Sequence, residues 1–274
     1  HPLAIVVPPI IWSTLQFLYH FSIINSFWAN VGIYAPMLAP LTWLIKGYGV
    51  AFLILLSNSL VLFYLIKKKK KYLFTWGILG IVVLSCFAFS NFAQPKGEAL
   101  RIAIVQPNIE ESFEWRGNHS DELISHYESQ IRSITQKPSL IVLPEYAFAT
   151  NIQNTAIESQ LVALSKDMNA TIVVGSIEWA DEKNKTFFDV VYSYYPNASK
   201  ASYHAIKPLP FDTLVKQGLA LGFAKSSDKT IGLLACYEET QGELTRKLSE
   251  NGASFFISLA NNQRFGDSKG LELV

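Results

Sequence analysis

Hydrophobic positions fall into two regimes along the chain. Up to about residue 97 apolar side chains follow one another with few polar interruptions, whereas from Leu100 onward they come in short runs or at spacings of three and four. In the first regime the stretches 2–24, 47–66 and 72–93 contain no Asp, Glu, Lys or Arg. Each is long enough to cross a bilayer, which takes about 20 mostly apolar residues. The last two are apolar on every face, unlike an amphipathic helix of a soluble core, so both are predicted to span. The first is interrupted by Pro8, Pro9, Gln16 and His20. Proline is tolerated in membrane helices when neighbours satisfy the freed backbone, so a third span is predicted there.

In the second regime the pattern alternates between strand and helix. Strands are predicted over 101–106, 140–143, 171–179, 187–195, 230–235 and 254–259. Leu123, Tyr127, Ile131 and Ile134 recur at helical spacing after Ser120-Asp121, and further helices are predicted over 155–168 and 239–251. The fold class is therefore α/β after an all-helical region, with a division near residue 97: 1–97 transmembrane, 98–274 an α/β domain.

Charge separates the same two parts. Up to Gly97 the only charged side chains are lysines, at positions 46, 67–71 and 96, and all 22 acidic residues follow. A mean hydropathy of +0.21 over 274 residues with 16% charged residues excludes a wholly soluble chain. The net charge of +1 averages two unlike halves and gives no basic face for nucleic acid. Lys67 to Lys71, between two spans, are predicted to lie on the cytoplasmic side, which carries the α/β domain to the opposite side. Trp28, Tyr34 and Trp43 suit the interfacial belt of that outer face. The chain opens on His1 without a signal-peptide n-region and stops at Val274 without a cap or polar tail, so it reads as a fragment of a longer chain.

Two cysteines, Cys86 in an apolar run and Cys236 in the polar half, build no disulfide framework. Catalytic groups in α/β sheets sit just past the carboxyl ends of strands. Three places qualify: Leu143-Pro144-Glu145 offers a carboxylate, Leu234-Ala235-Cys236 a thiol, and the loop Tyr203 to Phe211 an ammonium on Lys207. The element predicted after Cys236 is expected to lower the thiol's pKa through its N-terminal dipole. Thiol nucleophile, carboxylate base and ammonium form a coherent set for acyl transfer through a thioester. Singly, each has a blander reading: a buried cysteine, a helix-capping glutamate, a solvated lysine. His126 and His204 have no second ligand at zinc-like spacing, so no metal is expected, and transfer through a thioester requires no organic cofactor.

The motifs Ile104-Val-Gln-Pro-Asn-Ile109, Leu143-Pro-Glu145, Gly232-Leu-Leu-Ala-Cys-Tyr-Glu238 and Asn261-Asn-Gln-Arg-Phe-Gly-Asp-Ser268 resemble the carbon-nitrogen hydrolase (nitrilase) superfamily. With the apolar spans, they resemble its membrane-bound branch, the apolipoprotein N-acyltransferases. The resemblance implies an αββα sandwich, here incomplete at its C-terminal end, and a catalytic triad. It assigns the base to Glu145, the nucleophile to Cys236 and the ammonium to Lys207, with Trp115, Tyr237 and Glu238 at the substrate. A gapless match of the loop puts Ala205 at the lysine position and Thr213 at a glutamate position, and Arg264 stands at a tryptophan position. Lys207 serves if the loop is two residues shorter. The implied reaction moves an acyl chain from a membrane phospholipid to the N-terminal amine of a diacylglyceryl-cysteine lipoprotein, on the outer side of a bacterial inner membrane. The alternatives are a membrane-tethered amidase or nitrilase-like hydrolase, and a catalytically impaired member that binds. Four Asn-x-Ser/Thr patterns (Asn118, Asn169, Asn184, Asn197) are short enough to arise by chance.

Overall fold

Uninterrupted apolar sequence forms long helices in the N-terminal part: α1 (Leu3–His20), α2 (Thr42–Lys67) and α3 (Lys70–Phe92). The computed structural model describes residues 3–20, 31, 35–92, 98–109, 119–209 and 212–261. These fall into two compact units that divide between Gly97 and Glu98.

In the first unit α2 carries Lys46 at a non-helical φ of 59°, and it ends where Lys68 adopts a left-handed φ of 51° and donates its N–H to the Tyr64 carbonyl at 2.7 Å. The lysine run thus forms the turn of an α2–α3 hairpin. Trp76 on α3 donates to Ser57 Oγ on α2 at 2.8 Å. Leu44–Lys67 and Lys70–Ala88 are long and apolar enough to cross a membrane. The apolar part of α1, Leu3–Tyr19, is shorter than that, and residues 21–24 of the first expected span lie outside the described residues. Large side chains such as Leu62, Leu65, Phe74, Ile81 and Leu84 face outward. An extended apolar surface of this kind marks an interaction with lipid or another apolar partner.

The second unit has two sheets. The first runs β1 (Ile102–Ile104), β2 (Leu140–Val142), β3 (Thr171–Asp181), β4 (Thr186–Tyr194) and β5 (Lys200–His204), with β6 (Val215–Lys216) beside β4. β1, β2 and β3 are mutually parallel, and β4 and β5 continue antiparallel. The second sheet runs β7 (Gly222–Ser226), β8 (Lys229–Ala235) and β9 (Phe255–Leu259), with β8 and β9 parallel.

The two-residue period of a strand sorts the core into layers. Ile141, Leu143, Ile172, Val174, Tyr192 and Tyr194 point from the first sheet to α4 (Ser120–Arg132) and α5 (Ala156–Met168), burying Leu123, Tyr127, Leu161 and Leu164. The intervening Leu140, Val142, Val173 and Val191 meet Ile231, Leu233, Ala235 and Ile257 of the second sheet. Leu234, one residue out of phase, faces Leu244 and Leu248 of α6 (Gly242–Glu250). The result is the expected αββα sandwich. Predicted strands and helices match to within a few residues, with two differences. The helix expected over 239–251 is a 3-10 turn, Cys236–Thr240, followed by α6, and β5, β6 and β7 are strands that the pattern did not predict.

Candidate active site

The Pro144–Glu145 corner begins where a strand stops. Leu143 N–H still bonds to the Val173 carbonyl at 2.8 Å, but Pro144 has no N–H and ends the ladder. The Pro144 carbonyl then accepts from Gly175 at 3.1 Å and Ala147 at 3.3 Å, and Tyr146 takes a left-handed φ of 52°. Gly175 permits this close approach, because a Cβ there would lie 2.6 Å from Glu145 Cα and 2.7 Å from the Pro144 oxygen. Glu145 is left 2% exposed, with Oε2 accepting the Asn261 N–H.

Cys236 follows β8 directly and has a left-handed φ of 50°. Non-glycine residues in that region store strain, and nucleophiles at strand ends are a recurrent place for it. The thiol lies beside the Glu145 carboxyl, and each group shifts the other's ionisation. Two of the expected residues, from positions 91 apart in sequence, therefore meet. Asp189 of β4, which nothing in the sequence motifs singles out, joins them as a second buried carboxyl acting on Glu145.

Burial controls the electrostatics. Glu145 is pushed up to about 7, first by loss of water, while the hydrogen bond from the Asn261 amide, and then the neighbouring Cys236, Asp189 and Tyr146, pull it back down. Asp189 is raised well above the usual carboxylate range, by burial first and then by the charge of Glu145. Cys236 is raised too, through burial and then the negative charges of Glu145 and Asp189, against a weaker opposing hydrogen bond from the Tyr237 backbone. This corrects the expected thiolate. A five-residue 3-10 turn has too little dipole to outweigh desolvation and two carboxyls, so the sulfur rests as a thiol. Its proton has to leave during attack, and Glu145 is placed to take it.

The remaining expected residues lie elsewhere. The Lys207 side chain is exposed and makes no hydrogen bond or ion pair with Glu145 or Cys236. Ala205 is buried, Thr213 is exposed. Glu238, expected at the substrate, is instead fully buried, and its oxygens accept from the Tyr203 hydroxyl (2.7 and 2.8 Å) and from the N–H groups of Ala235 (2.9 Å), Ile206 (2.8 Å) and Lys207 (2.9 Å). It therefore ties the 205–207 segment to the end of β8 and so holds the nucleophile's strand. Tyr237 is half-buried beside Cys236. Trp115, Pro210, Phe211, Arg264 and the rest of 262–268 lie outside the described residues. Among the described residues no group of three His, Cys, Asp or Glu is arranged to hold a metal ion.

A thiol beside a buried carboxyl at converging strand ends of an αββα sandwich sets the comparison with known proteins. Residues 101–272 match the carbon-nitrogen hydrolase family. The chain belongs to that family. Among its relatives are the apolipoprotein N-acyltransferases of Geobacter metallireducens, 25% identical over 95% of this chain and 57% of the relative, and of Haemophilus influenzae, 23% identical over 97% and 58%. The chain spans about half the length of the curated relatives it matches. The expected membership, and the likeness to the branch that carries this name, are thus borne out. A solved CN-hydrolase superfamily protein from Xanthomonas campestris, 14% identical, overlays 60% of this chain and 66% of its own with a TM-score of 0.50, a likeness of fold.

Proposed function

We propose that this chain is the acyl-transferring part of a membrane-embedded enzyme that works through a thioester on Cys236. The Cys236 sulfur attacks the ester carbonyl of a membrane phospholipid as its proton passes to Glu145, and Glu145 returns that proton to the departing oxygen as lysophospholipid leaves. The N-terminal amine of a diacylglyceryl-cysteine lipoprotein then takes the acyl chain, giving up a proton to Glu145, which passes it back to the released Cys236 sulfur. The observation that carries this reading is the placement of the Cys236 thiol at the end of β8 beside the buried Glu145 carboxyl, each shifting the other's ionisation. The names of the relatives and the outward-facing apolar helices support lipid substrates. In the same reading 1–97 is the membrane region, and the lysine turn lies in the cytoplasm by the positive-inside rule. The domain from 98 onward then stands on the periplasmic side of a bacterial inner membrane, crossed more than once. Tyr237 N–H, close to the sulfur, is the candidate donor to the oxyanion.

The test follows acylation of a diacylglyceryl-cysteine peptide in phospholipid vesicles beside hydrolysis of small amides. Transfer in the parent, abolished in Cys236→Ser, is expected; amide hydrolysis without transfer points to the hydrolase instead. A second reading, a catalytically impaired binding protein, is favoured by one observation: Lys207 is exposed and makes no hydrogen bond or ion pair with Glu145 or Cys236.

A further inference from the structure

Asp189 interrupts the apolar run of β4, and the strand period puts it on the face of Val191, toward the second sheet. There it is 4% exposed, on the face where Gly175, paired with Val191, is covered by the Glu145 backbone, and the two carboxyls act on each other. A carboxyl group has no donor unless it is protonated, and two ionised carboxylates in one buried place repel. Glu145 Oε1 and Asp189 Oδ1 are both buried without a hydrogen-bond partner. Among the described residues no Lys or Arg side chain is hydrogen-bonded or ion-paired to either carboxyl. The other titratable groups facing the pair are Cys236 and Tyr146 at Glu145 and Glu238 near Asp189, with Asp212 acting on Tyr146. All of them are acids. Ala205, whose N–H bonds to the Asp189 carbonyl oxygen at 2.9 Å, brings no charge. A proton held between the carboxyls would give the two orphaned oxygens a partner and remove the repulsion of a buried dianion.

We propose that Asp189 is a positioning residue of the Cys236 site, sharing one proton with Glu145 so that the two carboxyls act as a single acid pair with Glu145 turned to the thiol. In its working state the pair has one proton and one negative charge. When the Cys236 S–H proton moves to Glu145, the pair holds two protons and no charge, and the sulfur's electron pair forms the new bond to carbon. No buried dianion ever forms, so the site runs without a neighbouring ammonium. The role assigned to the pair rests on the acyl-transfer reading; the shared proton does not.

The test is infrared difference spectroscopy on the full chain in detergent micelles at about pH 8, in H2O and D2O. One carbonyl band of a protonated, buried carboxylic acid is expected, shifted in D2O. Asp189→Asn and Glu145→Gln are near-isosteric, and each supplies an amide donor in place of the proton, so the band is expected to vanish in either variant alone and to persist in Cys236→Ser. Absence of the band in the parent, or its survival in either carboxyl variant, overturns the proposal. Should one of those variants fail to fold, the other is sufficient by itself, because each removes one half of the pair. Retention of the band together with absent acyl transfer rejects the transfer reading and leaves the pair standing.

Discussion

Gly175→Ala probes how the base is placed without touching the chemistry. The added Cβ would lie 2.6 Å from Glu145 Cα, 2.7 Å from the Pro144 oxygen and 3.0 Å from Tyr146 N. Carbon atoms rest at about 3.5–4.0 Å, so relief needs a retreat of about 1 Å. All three neighbours are backbone atoms, and no side-chain rotation can supply that movement. Either β3 or the Pro144–Glu145 corner has to shift, and in both cases Glu145 moves relative to Cys236. Misplacement by about 1 Å costs about 100-fold in rate, and overpacking costs about 1–3 kcal/mol in stability. In a domain of this size Tm is expected to fall by about 2–4 °C per kcal/mol. The assay is single-turnover acylation of Cys236 by phospholipid, with thermal unfolding alongside. Acylation within about twofold of the parent and an unchanged Tm would refute the claim that Gly175 sets the position of the base.

Because Glu145 is held at about 7 and has to be ionised to accept a proton, acylation is expected to rise about tenfold per pH unit up to about pH 7 and then level off. A midpoint near the ordinary glutamate value would contradict the dominance of burial. The same raised pKa means that the folded chain keeps a proton the unfolded chain releases, so stability falls as pH rises from about 4.5 to about 7. Glu145→Gln should remove that part of the fall in a pH series of thermal melts. Lys207→Ala is expected to change acylation by less than about threefold, whereas an oxyanion stabiliser would cost about 100- to 1,000-fold. Tyr203→Phe removes a hydrogen bond to buried Glu238 and is expected to destabilise by about 1.5–3 kcal/mol in chemical denaturation.

Residues whose positions follow from local pattern are legible in the sequence. Leu123, Tyr127 and Ile131 mark the buried stripe of α4, and a residue directly after an apolar strand, as at Glu145 and Cys236, lands at the carboxyl end of a sheet. Lys200–His204 is hidden because its alternation of polar and small residues looks like loop; it becomes a strand only by pairing with β4. The thiol's protonation does not follow from the chain because a local rule, the helix dipole, omits the tertiary burial that opposes it. Asp189 does leave a signal. A lone carboxylate inside the apolar run 187–194 is costly to bury without a partner, and that cost alone marks the position for inspection. What no pattern along the chain can supply is the partner's identity, since Glu145 approaches from another strand end. Glu238 is a similar case: it follows the nucleophile by two residues, yet its hydrogen bonds go back into the fold.

Covalent chemistry at one sulfur underlies the whole mechanism, and mass spectrometry of the full chain after incubation with phospholipid vesicles reads it directly. One acyl chain is expected on the peptide containing Cys236, labile to hydroxylamine and discharged when a diacylglyceryl-cysteine peptide is added. An unmodified Cys236 under conditions where acyl transfer proceeds, or an acyl group found on another residue, would contradict it.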